Sequence, residues 1–364
     1  MFLFVALACV APTDTAAEGD DPAVDPGPAS ILGDEGDDVV WTPILTEDDR
    51  LSDPRDLGFD TAGRLWVANR EDDRTFIVSD PGTDEADVDR RRDGYAEHFM
   101  EETAAFSFEA LSGEGKYGPE FGSCGESLNT YNDQAVGNEF MGPVLWTTML
   151  DVFAEEDPEG LGSHLDMLHQ SPLCVGIAWE KDNVYWVFDG FNDRIVRNDF
   201  LADHDIGQDD HSDGVIYEYS EPEVKRVENA PGHMVFDQDS GMLYVADTGN
   251  DRILRIDTAT GSKGKKLRQG LEPIDTYAAW DDVEWEEIVT DLDNPGGLAL
   301  HDDTLIVGEW GTGMLYAYTL DGELIGSLDT GVGEKALYGI EVGPDGDLWI
   351  AETATPAVLR LDLP

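Results

Sequence analysis

Basic residues are scarce in this sequence of 364 residues, which has 22 lysines and arginines against 79 aspartates and glutamates. The formal net charge at pH 7 is −57. A surface of this charge repels nucleic acid phosphates and anionic lipids, so we expect no nucleic-acid partner. It also destabilises the compact state at low salt, and high salt screens that self-repulsion. The composition therefore predicts a halophilic or marine source, with extensive Ca²⁺ binding by the carboxylates as the alternative.

The amino terminus lacks a hydrophobic run long enough to cross a membrane. Residues 1–8 are apolar, which is too short for a bilayer but suits the hydrophobic part of a signal peptide. The letters "ALAC", ending at Cys9, resemble the bacterial lipobox, in which the cysteine is lipidated and becomes the new amino terminus. The resemblance predicts a signal peptide over 1–9 and a cell-envelope lipoprotein attached to the membrane through Cys9. An ordinary cleaved signal peptide on a secreted protein is the alternative.

Residues 10–38 contain few core-forming side chains and are rich in proline, glycine, alanine and aspartate. This composition predicts a flexible acidic tether rather than a folded segment.

Cysteine is rare, with three residues in the whole chain. Once Cys9 is assigned to lipidation, Cys124 and Cys174 remain. Two cysteines in an exported protein most simply pair with each other, and we predict this disulfide. Two unpaired buried thiols are the alternative.

Five stretches of the chain share one pattern, a short apolar run, a polar turn and a second apolar run, which is typical of a β-hairpin. They are residues 56–69, 176–189, 233–247, 297–309 and 339–352. The first two copies start about twice as far apart as the others, which predicts one degenerate copy between 105 and 150. Six such units predict an all-β fold, a six-bladed β-propeller over 39–364 with a long insertion at about 83–171 in the second blade. The stretch "VVWTPIL" (39–45) is expected to supply the last strand of the last blade and close the ring.

Two of these units resemble the NHL repeat. They read "GMLYVADTGNDRILRID" and "VYWVFDGFNDRIVRND", with an apolar strand, an acidic residue, a turn containing asparagine and then an arginine. The resemblance covers roughly 53–82 and 172–364 and implies a six-bladed propeller. It does not imply one function, because this fold carries enzymes and binding modules alike.

An acidic or amide side chain ends the second strand of each hairpin copy. These residues are Asn69, Asp189, Asp247, Glu309 and Glu352. A polar side chain at this place can accept backbone N–H bonds from nearby turns. We interpret the five as a repeated structural device, and we expect Arg194 and Arg252 each to pair with acids of a neighbouring turn.

His233 differs from its counterparts, because the other copies have Asp56, Gly176, Gly297 or Gly339 in the same place. The stretch "PGHMVF" is similar to the zinc-binding Pro-His positions of the peptidyl-α-hydroxyglycine α-amidating lyase propellers, which implies that His233 faces the central channel.

Further histidines could complete a divalent metal site with His233 and Asp56. "GSHLDMLHQSPLC" contains His164 and His169, and "ADHDIGQDDHSDG" contains His204 and His211 among five aspartates. Imidazole and carboxylate ligands suit Zn²⁺ or another transition metal.

The same aspartate-rich run is also a calcium candidate, since Ca²⁺ prefers oxygen ligands. The four candidate ligands are Asp203, Asp205, Asp209 and Asp213.

Two functions are consistent with the sequence. The first is an exported or surface-anchored propeller that acts as a binding or scaffold module, monomeric and with a protein or small-molecule ligand. The second is an exported metal-dependent lyase or hydrolase with His233 in the channel. The first is favoured, because the copies do not supply a convergent set of acid, base and metal ligands.

Overall fold

The computed structural model describes residues 31–33, 40–109, 116–130, 136–154 and 160–362. These residues form six β-sheets, and the predicted six-bladed β-propeller is confirmed. Cys9, the predicted signal segment 1–9 and all of the predicted tether 10–38 except 31–33 lie outside the described residues. Within the described ranges, no helix is long and apolar enough to cross a membrane.

Each of the first three blades contains four strands in chain order, with the first strand innermost. Blade 1 consists of β2 (Pro54–Phe59), β3 (Leu65–Asn69), β4 (Arg74–Ser79) and β5 (Asp87–Arg91). Blade 2 consists of β6 (Thr103–Phe108), β7 (Glu120–Gly125), β8 (Val144–Thr147) and β9 (Asp166–Met167), and a short helix, α1 (Ala96–Phe99), precedes it. Blade 3 begins with β10 (Cys174–Lys181), β11 (Val184–Asp189), β12 (Arg194–Asp199) and β13 (Val215–Tyr219).

The last three blades follow the same plan. Blade 4 consists of β14 (Met234–Phe236), β15 (Met242–Asp247), β16 (Arg252–Asp257) and β19 (Glu284–Val289). Blade 5 consists of β20 (Pro295–His301), β21 (Thr304–Glu309), β22 (Met314–Thr319) and β23 (Leu324–Asp329). Blade 6 consists of β24 (Leu337–Val342), β25 (Leu348–Glu352), β26 (Ala357–Asp362) and β1 (Val40–Thr46).

The ring closes at blade 6, as predicted from the amino-terminal strand. β1 pairs antiparallel with β26, from Val40 opposite Asp362 to Thr46 opposite Ala357. The six inner strands contact one another in sequence, and β24 contacts β2 to complete the circle. Closure joins the two ends of the propeller and leaves short sheet edges.

The hairpins follow from local turn chemistry. In blade 1, Oδ1 of Asp60 accepts hydrogen bonds from the backbone N–H groups of Ala62 and Arg64. Gly63 lies in the same turn at φ +76°, a conformation that residues with a Cβ rarely adopt. Blade 4 repeats the arrangement at Asp237 and Gly241, where φ is +74°.

The core lies between neighbouring blades. Trp66, Trp146 and Trp186 are fully buried on the second or third strands of blades 1, 2 and 3. Burying an aromatic side chain of this size removes a large apolar area from water, which stabilises the blade interfaces.

Residues 83–171, predicted as a degenerate copy with an insertion, include β5 and all four strands of blade 2. The extra length lies in the connections that precede β6, β8 and β9. The predicted disulfide between Cys124 on β7 and Cys174 on β10 is confirmed, with Cα atoms 5.7 Å apart. It joins blade 2 to blade 3.

The acids at the strand ends have the structural role predicted for them. Asp189 accepts hydrogen bonds from the backbone N–H of Phe191 and Asn192 and from Nε of Arg194. Asp247 accepts in the same way from Arg252 of its own turn. The carboxylates of Asp189 and Asp247 are thus engaged by the turns that follow their strands.

One part of the topology was not predicted. β17 (Ser262–Lys266) and β18 (Thr276–Asp281) lie between β16 and β19 in the chain, yet they extend the sheet of blade 3. β18 pairs parallel with β13, from Val215 opposite Thr276 to Tyr219 opposite Trp280. We call β17 and β18, residues 262–281, the blade 4 hairpin, because the strands that flank it in the chain belong to blade 4. The hairpin packs on the outer edge of blade 3.

Candidate functional site

The six inner strands surround a cavity of about 660 Å³, here called the central channel. Its lining has seven acidic side chains and one histidine, and no lysine or arginine from the described part of the chain. These residues are Asp56, Asp60, Glu109, Asp237, Asp239, Asp302, Glu341 and His233. The channel therefore carries a concentrated negative potential when its carboxyl groups are ionised.

Asp56 and His233 occupy the equivalent position of two different blades and face each other in the channel. Nδ1 of His233 lies 3.6 Å from Oδ1 of Asp56. Burial raises the pKa of Asp56 to about 7 and lowers the pKa of His233 to about 4. His233 is therefore neutral at pH 7, and the two side chains do not form an ion pair there.

The glycines that replace them in other blades are explained by close packing of the inner strands. A Cβ on Gly176 would lie 2.1 Å from the carbonyl oxygen of Gly232, and a Cβ on Gly297 would lie 2.2 Å from that of Tyr338. No side chain fits where two backbones approach this closely. The difference between His233 and these glycines therefore reflects how closely the inner strands approach one another as well as the chemistry of the side chains.

Two further carboxyl groups in the channel were not singled out by the sequence. Burial raises the pKa of Glu341 to about 8, and the nearby Asp56 adds to the shift. Burial likewise raises the pKa of Glu109 to about 7. Among the described ion pairs, none joins Asp56, Glu109 or Glu341 to a lysine or arginine, whereas Asp60 pairs with Arg64 at 2.6 Å.

A second group of titratable side chains lies near the outer edge of blades 2 and 3. The histidine cluster comprises His98, His164, His169, His204 and His211. The connection before β9 and the segment after it supply His164 and His169, and the β12–β13 connection supplies His204 and His211. Asp166 on β9 lies among them, fully buried, with Oδ1 2.7 Å from Nδ1 of His211.

Within the described residues, one group of three or more histidine, cysteine or acidic side chains could hold a metal ion. It consists of Asp166, His204 and His211, whose ligand atoms lie within 4.8 Å of one another. We call it the Asp166 group.

The remaining histidines of the cluster contact each other and an acid from the blade 4 hairpin. Nε2 of His169 lies 3.4 Å from Nε2 of His98. Nδ1 of His169 lies 2.8 Å from Oε1 of Glu272, which also accepts the backbone N–H of His169. The hairpin thus closes over the cluster.

The structure divides the predicted metal ligands between two places. His164, His169 and His211 come together in the histidine cluster, with ring centroids 5.7 Å apart for His169 and His211 and 6.5 Å apart for His164 and His211. His233 and Asp56 line the channel instead, and none of the three loop histidines lines it. A single site that combines His233 with the loop histidines does not form.

The four calcium candidates do not gather into a group of the kind formed by Asp166, His204 and His211 in the described ranges. Asp205 pairs with Lys116 and accepts a hydrogen bond from the hydroxyl of Tyr117. Oδ2 of Asp213 accepts the backbone N–H of Ala202. The other two candidates are Asp203 and Asp209.

Three side chains in or beside the histidine cluster, Asp166, Glu272 and His98, were not among the site residues predicted from the sequence. Asp166 follows His164 by two residues within the stretch that supplied two of the candidate ligands, so this signal was available. Glu272 and His98 come from distant parts of the chain, and no local pattern connects them to the cluster.

No protein-family model matches the chain, and no curated protein matches it. Among solved structures, it is similar to virginiamycin B lyase from Staphylococcus aureus, with a TM-score of 0.51, 12% identity and coverage of 90% of this chain and 100% of that chain. It is similar to an auxiliary nutrient binding protein from Bacteroides ovatus, with a TM-score of 0.53, 11% identity and coverage of 90% and 77%. A luciferin-regenerating enzyme gives a TM-score of 0.53, 10% identity and coverage of 89% and 95%. At these identities the likeness shows the propeller fold alone.

Proposed function

We propose that this protein is an exported, surface-anchored propeller that binds a small organic cation in its central channel. The observation that carries the proposal is the lining of the channel, where Asp56, Glu109 and Glu341 have no lysine or arginine partner among the described residues. The resemblance of Cys9 and its neighbours to a lipobox supports export and anchoring. The NHL-like repeats fit a binding module, which is one of the roles that this fold serves.

The charge of the channel selects the sign of the ligand. A cation near Asp56, Glu109 and Glu341 favours their ionised forms and lowers their raised pKa values. Binding is therefore coupled to proton release near neutral pH and strengthens as the pH rises. An anionic ligand would meet repulsion from the same groups.

The apolar part of the lining favours an organic cation over a hydrated metal ion. Phe59, Phe106, Phe108, Trp179 and Phe236 line the same cavity. Aromatic faces attract ammonium groups, and the attraction is stronger where the cation is desolvated. The cavity volume falls within the range that holds small-molecule ligands, roughly 300–1,000 Å³.

Choline and its neutral isostere 3,3-dimethylbutan-1-ol test the proposal, because they share one shape and differ in charge. Binding is measured by titration calorimetry in about 1 M NaCl, where the Debye length is roughly 3 Å and surface attraction is screened. We expect choline to bind at least about tenfold more tightly than the isostere, a difference of roughly 1.4 kcal/mol. Binding should strengthen between pH 6 and pH 9, as the channel carboxyl groups with pKa values of about 7 to 8 ionise.

Two variants provide the control. Glu341→Gln removes one channel charge and should weaken choline binding about tenfold. Glu334→Gln removes an exposed charge outside the channel lining and should leave binding unchanged. Equal binding of choline and its isostere, or equal binding by both variants, would refute the proposal.

The metal-dependent enzyme remains the second candidate, and the channel favours it less. A metal-dependent lyase or hydrolase needs a metal ligand set and an acid or base around one reacting atom. Within the described lining of the channel, His233 is the one histidine, and Asp56 is its acidic neighbour. The residues suited to a divalent metal lie outside the channel, in the histidine cluster.

A further inference from the structure

Three acceptor atoms of His164 and the Asp166 group are buried without a hydrogen-bond partner among the described residues. They are Nε2 of His164, Nε2 of His204 and Oδ2 of Asp166. His164 and Asp166 are both 0% exposed. A buried acceptor without a donor is unfavourable, and three lone pairs in one place suit a bound ion that accepts electron pairs.

The backbone fixes the tautomers of two of these histidines. Nδ1 of His164 lies 3.0 Å from the carbonyl oxygen of Leu161, and Nδ1 of His204 lies 2.9 Å from that of Asp205. A carbonyl oxygen only accepts, so both Nδ1 atoms carry the proton and both Nε2 atoms present a lone pair. Histidines that bind metals commonly donate their other ring N–H in this way.

The lone pairs cannot satisfy one another. Nε2 of His204 lies 4.0 Å from Oδ1 of Asp166, and both atoms are acceptors. Oδ1 of Asp166 is already shared by His211 and by the backbone N–H of Met167. Hydrogen bonds within the cluster therefore leave the same three atoms without a donor.

The spacing of two of the three pairs of imidazole rings fits one shared ion. Two imidazoles bound to the same tetrahedral zinc, with Zn–N bonds of about 2.0–2.1 Å, have ring centroids about 5 Å apart. The centroids of His164 and His204 are 5.1 Å apart, and those of His204 and His211 are 5.2 Å apart. The third pair, His164 and His211, is wider at 6.5 Å, so these two rings do not both reach one tetrahedral ion in this arrangement.

We infer that the Asp166 group, whose ligand atoms lie within 4.8 Å of one another, forms a binding site for Zn²⁺ that is independent of the central channel. Two imidazoles and one carboxylate are a ligand set for zinc, whereas Ca²⁺ takes oxygen ligands. Three protein ligands leave the fourth position of a tetrahedral shell to a water molecule, or to Nε2 of His164 after a shift of its ring.

The backbone already holds the ligand-bearing segments together. The N–H of His204 donates to the carbonyl of Leu165, and the N–H of Gly207 donates to that of His164. The ion would therefore join β9 of blade 2 to the β12–β13 connection of blade 3 without a large rearrangement. Its role is to stabilise the junction of these two blades.

The test uses the full chain with its disulfide intact. The protein is treated with a chelator, dialysed and then titrated with Zn²⁺ in high salt. Excess Ca²⁺ is present during the titration, because it occupies the exposed carboxylates. We expect one tightly bound Zn²⁺ per chain and a higher unfolding temperature in its presence. Co²⁺ in place of Zn²⁺ should give the intense visible absorption of a four-coordinate ion.

Variants at His204 and His211 decide between this site and adventitious binding. His204→Gln and His211→Gln lie in a connection between strands and each remove one ligand. Each should weaken Zn²⁺ binding by more than the roughly 10- to 100-fold seen when an outer partner of a metal ligand is lost. His301→Gln, at a partly exposed position on blade 5, should leave it unchanged.

Three results would overturn the inference. They are the absence of stoichiometric Zn²⁺ binding by the wild-type chain, equal Zn²⁺ affinity in the wild type and the two cluster variants, and a weak six-coordinate Co²⁺ spectrum. Circular dichroism of the metal-free variants shows that they are folded before their affinities are compared. The choline experiment does not involve these residues, so either proposal can fail without the other.

Discussion

Replacing Glu341 by glutamine should make the protein more stable at high pH and leave its stability at low pH nearly unchanged. The carboxyl group is protonated in the folded state until the pH reaches its raised pKa of about 8, against an ordinary value of 4.5. The unfolded chain ionises at the ordinary value. The folded state therefore loses stability relative to the unfolded state as the pH rises from about 4.5 to about 8.

The size of the effect follows from the pKa shift. A rise from 4.5 to about 8 corresponds to roughly 5 kcal/mol, at about 1.36 kcal/mol for each unit of pKa. Because the channel admits water, which screens the charge, we expect about half of that amount. Glutamine keeps the side-chain oxygen that accepts the backbone N–H of Val342, so the substitution removes the charge with little change in contacts.

Urea unfolding in high salt at pH 5, 7 and 9 measures this difference. At pH 5 the free energies of unfolding of Glu341→Gln and the wild type should agree within about 0.5 kcal/mol, and at pH 9 the variant should be more stable by about 2–3 kcal/mol. Glu334→Gln, at an exposed position, is the matched control. A difference between Glu341→Gln and the wild type that stays constant from pH 5 to pH 9 would show that Glu341 does not titrate as argued.

Two further predictions concern the chain as a whole. Replacing both Cys124 and Cys174 by alanine removes a cross-link over 50 residues. The loss of this constraint on the unfolded chain should lower the free energy of unfolding by about 4 kcal/mol. Urea unfolding measures the difference, and unchanged stability would contradict this prediction. The net charge of −57 should make the unfolding temperature rise between 0.1 and 2 M NaCl as self-repulsion is screened, and a flat response would exclude halophilic adaptation.

The sequence was sufficient to predict features that depend on repetition. Each blade repeats a hairpin with local turn chemistry, so strand positions, the number of blades and closure by the amino-terminal strand could be worked out from spacing. The bond between Cys124 and Cys174 was predictable because few alternatives existed for two remaining cysteines. These inferences did not require knowledge of which blades touch.

The sites were harder to predict because they depend on contacts between distant segments. His233 stood out as an exception to a repeat, yet its neighbours in the channel, Glu109 and Glu341, sit at places where the repeat shows nothing unusual. Glu272 reaches the histidine cluster through a hairpin that leaves its own blade and joins another. The pairing of a hairpin with the sheet of another blade depends on tertiary packing, so no repeat in the sequence indicates it.

The junction of blades 2 and 3 has three cross-connections for a physical reason. The outer strand of blade 2, β9, contains two residues and pairs with β8 at two positions, so its ladder contributes few hydrogen bonds. The disulfide, the histidine cluster and the blade 4 hairpin all act at this junction, where blade 2 has the shortest outer strand of the six described blades. If the cluster binds zinc as proposed, losing the ion should loosen this junction first, and the channel should keep its ligand until the ring itself opens.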